Sequence, residues 1–180
     1  LRAEIGLDVI EALRARSRIL AADAQGFLRV QRDTKLVHAP WSDTRGVLRQ
    51  LDVLKTDALE AESLTGQRDM VRAARLLSDR GPREVVITHR EGVLALADGI
   101  YHEAGFFPER VVGRSGRGDT CLAAYVARRL THSPEDATAW AAAVTSLKLE
   151  AEGPFRRDLR AVESLIRERY QGRGSSLCDS

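Results

Sequence analysis

Apolar positions recur at helical spacing through the first sixteen residues, with Ile5, Val9, Ile10 and Leu13 on one stripe, and Arg18 to Ala22 then reads as a short strand ending before Asp23. Asp23-Ala24-Gln25-Gly26 is a turn signal, followed by Phe27 to Val30 and a polar stretch to Pro40. Ser42 is placed to cap a helix over Asp43 to Leu51, and Val53-Leu54 gives a brief strand. In LKTDALEAESLTG, Leu54 to Gly66, Asp57 and Glu60 have the spacing of a capping box and Gly66 is a helix stop. The pattern from Asp69 to Arg80 predicts a helix with Val71, Ala74, Leu76 and Leu77 inward, closed by Gly81-Pro82. Glu84 to Thr88, EVVIT, is dense in β-branched residues and reads as a buried parallel strand. Asp98-Gly99 between two strand-like runs signals a hairpin.

The valine pair Val111-Val112 reads as a strand end running into Gly113, Gly116 and Gly118, after which Thr120 to Leu130 is helical. Ser133-Pro134-Glu135 supplies a cap, a first-turn proline and an acid for a helix reaching about Glu150. A last helix covers Asp158 to Tyr170, and Gln171 to Ser180 is a polar tail expected to be disordered. Alternating strands and helices with one hairpin predict an α/β domain with a mainly parallel sheet flanked by helices. Ligands collect at the carboxyl ends of such strands, where Asp57, Thr88 and the Gly116 turn fall.

At 180 residues, 43% hydrophobic and 30% charged, the composition is that of a soluble globular chain with enough length for one buried domain. No apolar run approaches a membrane span and no signal peptide is visible, so no membrane association is expected and the cytoplasm is the expected location. Net charge is only +2, the only lysines are Lys35, Lys55 and Lys148, and no basic stripe with interleaved aromatics is present, which argues against nucleic acid. Cys121 and Cys178 are too isolated for a disulfide framework, and the four histidines lack metal-ligand spacing. The chain opens at Leu1 in what reads as the middle of a domain, and is expected to be the C-terminal part of something longer.

The chemistry concentrates in VVGRSGRGDTCLAAYVARRL, Val111 to Leu130. Three glycines let an anion approach the main chain where the helix's first N–H groups lack partners and the peptide dipoles present their positive end. A carboxylate at Asp119 would repel a bound phosphate, unless it removes the proton from a hydroxyl that attacks the phosphorus. The N–H groups of the turn and the Arg117 guanidinium would then neutralise the transferring group. On the residues alone, a purely structural turn, with Asp119 as a helix cap, stands beside this reading. The tripeptide Arg117-Gly118-Asp119 as an adhesion sequence is disfavoured, because it enters an apolar helix and not an exposed loop tip.

GRSGRGDTCLAAYVARRL resembles the second signature of the PfkB, or ribokinase-like, carbohydrate kinases, usually DTxGAGD followed by a helix. The resemblance implies that Asp119 is the catalytic base and that Gly116, Arg117 and Gly118 form the anion hole. Gly113 and Arg114 stand where the family usually has Asp and Thr, a departure that bears on its monovalent-cation site, and Arg117 replaces a small residue. SLKLEAEGPF, Ser146 to Phe155, is similar to one branch of the family, and Asp23 to Arg29 is similar to a segment that precedes the kinase signatures. Asp57 and Glu60 match the family's Asn-x-x-Glu pair, associated with magnesium and phosphate, with Ala58 in place of the intervening acid; this competes with the capping box, and one residue can do both. Thr88 and Gly92 match a nucleotide-contacting loop, although His89-Arg90-Glu91 is one residue short. Ala143 and Ser146, next to Ala142, lie where the family's adenine pocket has one wall, although helix packing alone explains small residues there.

The resemblance therefore implies a ribokinase-like fold over residues 1–170, a partial domain lacking the N-terminal half and the lid, with residues 171–180 as the tail. It implies ATP-dependent, Mg²⁺-assisted phosphoryl transfer to a hydroxyl of a sugar or sugar-like molecule, with the fragment alone inactive, and it admits a homodimer. The alternative is a catalytically degenerate nucleotide-binding or regulatory module, suggested by Ala58, the altered HREG loop and Gly113-Arg114. A dinucleotide oxidoreductase is weak, because no GxGxxG follows the first strand.

Overall fold

The computed structural model describes residues 5–32, 35–38 and 44–170; the expected cap at Ser42 and the tail at 171–180 lie outside them. The chain falls into two compact units, one of residues 1–89 with 94–101 and one of residues 90–93 with 102–180. The elements of the first are α1 (Leu7–Arg14), β1 (Ala21–Asp23), α2 (Gln25–Leu28), β2 (Arg29–Arg32), β3 (Lys35–His38), α3 (Thr44–Leu48), β4 (Val53–Asp57), α4 (Ala58–Thr65), α5 (Met70–Ser78) and β5 (Glu84–Thr88). A hairpin of β6 (Gly92–Ala97) and β7 (Ile100–Gly105) follows, then α6 (Arg117–Arg129), α7 (Pro134–Leu149) and α8 (Leu159–Arg169).

The sheet runs in the order β1-β4-β5-β6-β7. β1, β4 and β5 are parallel, with Val53 opposite Ala21 and Glu84, and Asp57 opposite Thr88. Every residue of β6 is buried, as are Val85 to Thr88 of β5, which is why these strands read as continuous apolar runs. Asp98 and Gly99 both adopt positive φ, 52° and 78°, the geometry that a two-residue hairpin turn requires. Around this frame Leu20, Phe27, Leu28, Val47, Leu48, Leu54, Leu77, Ile87, Leu94 and Leu96 form the core of the first unit.

The second unit is built on α7, whose start is fixed by Ser133 accepting from the Asp136 N–H and by Pro134 in the first turn. Ala137, Ala141, Ala142, Ala143, Thr145 and Ser146 are all buried, and small side chains on every face let α6 and α8 pack closely on it. Ala143, Val144 and Val162 form its core, with Trp140, Phe155, Leu165 and Tyr170 packed against them. The Tyr170 hydroxyl donates to Gly105 O at 2.7 Å, and burial of the phenol pushes its pKa up to about 12.

Four expectations are corrected. Val111-Val112 is not a strand end: both side chains are exposed, and the N–H groups of Val112 and Gly113 donate to Leu149 O, at 2.8 and 3.2 Å, instead of to a sheet neighbour. The polar stretch after Phe27 contains the two-stranded antiparallel ribbon β2–β3. In α5 the inward face is Ala73, Ala74 and Leu77, while Val71 and Leu76 are exposed, a rotation that puts the smallest side chains against the core. In α1, Ile10 is buried and Leu7 packs on the core, whereas Val9 and Leu13 are exposed.

Candidate active site

The glycine-rich turn and α6 meet as a helix start without a side-chain cap. Gly116 occupies the cap position with φ 74°, the left-handed region that glycine enters without strain, and it offers no side chain to the helix N–H groups. The Arg117 N–H donates to Arg114 O at 3.3 Å and the Thr120 N–H to Gly116 O at 3.0 Å, but the N–H groups of Gly118 and Asp119 have no acceptor within the helix. Helix α6 thus begins three residues earlier than the pattern predicts. Asp119 is its third residue, exposed to solvent, and not its cap.

A cavity of about 700 Å³ opens beside this helix start. Its wall is formed by Val112 to Gly116, Asp119 and Thr120 from the turn and first helical turn, and by Lys148, Glu152, Gly153 and Pro154 from the end of α7 and the loop after it. Gly116 and Asp119 are therefore brought together on one wall. Arg117 and Gly118 form the first two positions of α6 and are not part of it. The turn lies against the loop after α7 so closely that a Cβ on Gly113 would come within 2.8 Å of Ala151 O. Lys148, which the sequence reading did not single out, is only 3% exposed, and its Nζ donates to Gly113 O and Ala151 O, each at 3.3 Å. The signal was available: the lysine in AWAAAVTSLKL is the one charge in an otherwise uncharged stretch of the helix.

A second group lies at the carboxyl ends of β1, β4 and β5 in the first unit. Asp57 and Glu60 close a full capping box, with the Glu60 N–H donating to Asp57 Oδ1 at 2.8 Å and the Asp57 N–H to Glu60 Oε2 at 2.9 Å. Glu60 Oε1 is buried with no partner. Desolvation raises the Glu60 pKa; the backbone hydrogen bond from Asp57 opposes the rise, the charges of Asp57 and Asp23 add to it, and Lys55 opposes it. Lys55, 3% exposed, donates to Asp23 Oδ2 at 2.8 Å, a part-buried ion pair that the sequence reading also passed over. Thr88 stands opposite Asp57 in the sheet register, and its buried hydroxyl is likewise without a partner. Among the described residues no three His, Cys, Asp or Glu side chains are grouped to hold a metal directly. Two carboxylates with one free hard oxygen fit a divalent cation bound partly through its waters.

The remaining predicted residues belong to the second unit. Gly92 is buried where a Cβ would lie 2.3 Å from Ala104 O, so strand packing alone demands glycine there. Ala143 is part of the core. Ser146 is fully buried, its hydroxyl accepting from the Phe107 N–H at 2.9 Å and donating to Ala142 O at 2.7 Å.

An α/β sheet with an uncapped helix start on a cavity wall, a free carboxylate and a buried ammonium describes a protein able to hold a phosphorylated ligand. The family model for pfkB carbohydrate kinases matches residues 11–157, and the chain belongs to that family, with the ribokinase-like fold. Similar solved structures include a pyrophosphate-dependent kinase of the ribokinase family complexed with a pyrophosphate analog and myo-inositol (41% identity, TM-score 0.83), covering 91% of this chain and 59% of the other. A pyrophosphate-dependent myo-inositol-1 kinase converted to a myo-inositol-3 kinase matches at 40% identity and TM-score 0.84, over 94% of this chain and 61% of the other. Arabidopsis thaliana ribokinase complexed with ribose and ATP shares the fold at 22% identity and TM-score 0.73, over 89% of this chain and 51% of the other. The chain thus spans about three-fifths of the length of its 40–41% identical relatives. No curated protein sequence matches it significantly. No helix among the described residues is long and apolar enough to cross a membrane.

Proposed function

We propose that this chain carries the phosphoryl-transfer part of a kinase that phosphorylates a hydroxyl of a sugar or another small polyol. The observation that carries the reading is Asp119, solvent-facing on the cavity wall in the first turn of a helix whose N-terminal N–H groups are left open. Asp119 takes the proton from the acceptor hydroxyl as its oxygen attacks the phosphorus, a role worth roughly 10²- to 10⁴-fold in rate. The anion hole of Gly116, Arg117 and Gly118, with the adjoining open Asp119 N–H and the helix dipole, stabilises the charge on the transferred group. Mg²⁺ held through water by Asp57 and the free oxygen of Glu60 would offset the donor's negative charge. With ATP as donor, the resemblance assigns Thr88, Gly92, Ala143 and Ser146 to the nucleotide; of these, Thr88 offers a hydroxyl that no protein group uses, while Ser146 is fully hydrogen-bonded.

Pyrophosphate is the second reading for the donor. The relatives at 40–41% identity use it, and the cavity wall carries Arg114 and Lys148 beside Asp119 and Glu152, so two positive groups are available to a compact anion that has no nucleoside to anchor it. The full-length protein, supplied in turn with ATP and with pyrophosphate against a panel including ribose and myo-inositol, decides both points. A phosphorylated polyol is expected with at least one donor. Donor binding without transfer to any acceptor would instead support the degenerate binding module.

A further inference from the structure

We infer that Lys148 is a built-in cation for the phosphate turn: its ammonium does the work of a bound monovalent ion and makes anion binding there independent of added potassium. The inference rests on the kinase reading for what the turn binds. A charged group that is 3% exposed needs partners, and the partners of Nζ are two neutral carbonyls, Gly113 O and Ala151 O, instead of a carboxylate. Hydrogen bonds to carbonyls satisfy the N–H donors without cancelling the positive charge, which remains to attract an anion in the cavity that Lys148 helps to line.

Carbonyls converging from separate segments also hold a bare monovalent cation, replacing its hydration shell. A potassium ion does not fit this place. Gly113 contributes no side-chain oxygen where the family usually has an aspartate, Arg114 brings a positive charge where it has a threonine, and Gly113 O already accepts from the ammonium. Both sides of Gly113 are thereby fixed to the last turn of α7, its N–H to Leu149 O and its carbonyl to Lys148. Lys148 positions the anion turn as well as charging it.

The test uses the full-length protein, with pyrophosphate and ATP binding measured by calorimetry and turnover measured in parallel, in tetramethylammonium buffer and in potassium buffer of equal ionic strength. The wild type is expected to show the same affinity and turnover in both. Lys148→Ala, which vacates the place of the ammonium, is expected to lose roughly 10- to 100-fold in affinity, the scale of a hydrogen bond to a charged group, and to regain part of it with added ammonium or methylammonium, which can donate to the same carbonyls. Rescue is the readout that a merely structural lysine would not give. Potassium stimulation of the wild type overturns the inference, as does a folded Lys148→Ala protein that binds as tightly as the wild type or that loses binding without rescue by ammonium or methylammonium. Should melting show that the variant fails to fold, the wild-type cation comparison decides alone. A wild type that binds either anion but transfers to no acceptor fails the kinase reading and leaves this test standing; absence of binding overturns both.

Discussion

Helices α4 and α6 begin with the same elements, a carboxylate and a set of unpartnered N–H groups, and arrange them in opposite ways. In α4 the acid is at the cap: Asp57 accepts from the Glu60 N–H, Glu60 reaches back to the Asp57 N–H, and the helix start is closed by its own side chains. In α6 the cap is Gly116, which has no side chain to offer, and the acid is moved to the third helical position, where Asp119 faces solvent. Glycine in place of a polar cap costs only a few tenths of a kcal/mol, roughly, so a small loss of helix stability leaves the N–H groups open to an external anion. A closed helix start stabilises the fold, and an open one with a displaced acid is available for chemistry. Glu60 Oε1 qualifies the contrast, since the closed box still leaves one buried oxygen for a cation or its waters.

The largest expected break in this comparison is at Asp119. In the full-length protein, Asp119→Asn keeps the size and the open N–H groups but removes the proposed base, and polyol phosphorylation should fall by roughly 10²- to 10⁴-fold while donor affinity is kept or improved. Near-normal kcat in this variant would eliminate Asp119 as base. The corresponding change at the other helix, Asp57→Ala, should cost about 1 kcal/mol of stability, within the range for removing an N-cap, and Asp57→Asn, which keeps a side-chain acceptor, should recover most of it in urea melts. If Asp57→Ala left stability unchanged, the closed box would have no structural weight.

Two left-handed glycines sharpen the same point. Gly66 ends α4 at φ 72° and Gly116 begins α6 at φ 74°; a Cβ would meet nothing within 4 Å at the first, and only the Lys148 side chain at 3.9 Å at the second. Alanine at either site should therefore lose about 1 kcal/mol from backbone strain alone. Only Gly116→Ala should also raise KM for the phosphate donor, because only that glycine sits on the cavity wall. Equal KM values for the two variants would mean that the turn does not touch the donor.

Much of this was legible in the chain because it depends on local chemistry. The Asp57–Glu60 box, the Gly66 stop, the Asp98-Gly99 hairpin and the glycine turn into α6 each follow from residues a few positions apart. Lys55 and Lys148 were not legible in the same way, since their partners Asp23 and Gly113 are 32 and 35 residues distant and only the folded chain brings them together. A buried lysine in an apolar stretch announces that some partner exists without naming it. Val111-Val112 misled for the complementary reason: β-branched residues suit a strand, but Leu149 O at the end of α7 takes the N–H groups of Val112 and Gly113 first. In α5 the apolar stripe was real, yet alanines at 73 and 74 allow closer packing than the larger residues at 71 and 76.

The smallest expected effect is a pH dependence carried by the buried carboxyl of Glu60, in the closed helix start. Burial raises the Glu60 pKa above its ordinary 4.5, so the folded protein holds that proton more tightly than the unfolded chain does. The sign follows: this group's contribution to stability is fully present below pH 4.5 and is lost as pH rises through the higher native value. Asp52 works in the opposite direction. Burial would raise its pKa, but the Leu20 N–H and the Arg14 guanidinium outweigh that and hold it below 3.8, so its contribution is present above 3.8 and is lost as pH falls through the lower native value. Glu60→Gln removes only the first of these, and its melting temperature should gain on the wild type as pH is raised from 4.5, with both curves falling together in stronger acid. Addition of Mg²⁺ should narrow the gap by stabilising the ionised glutamate of the wild type, whereas a pH-independent gap would show that the Glu60 carboxyl titrates as it does in the unfolded chain.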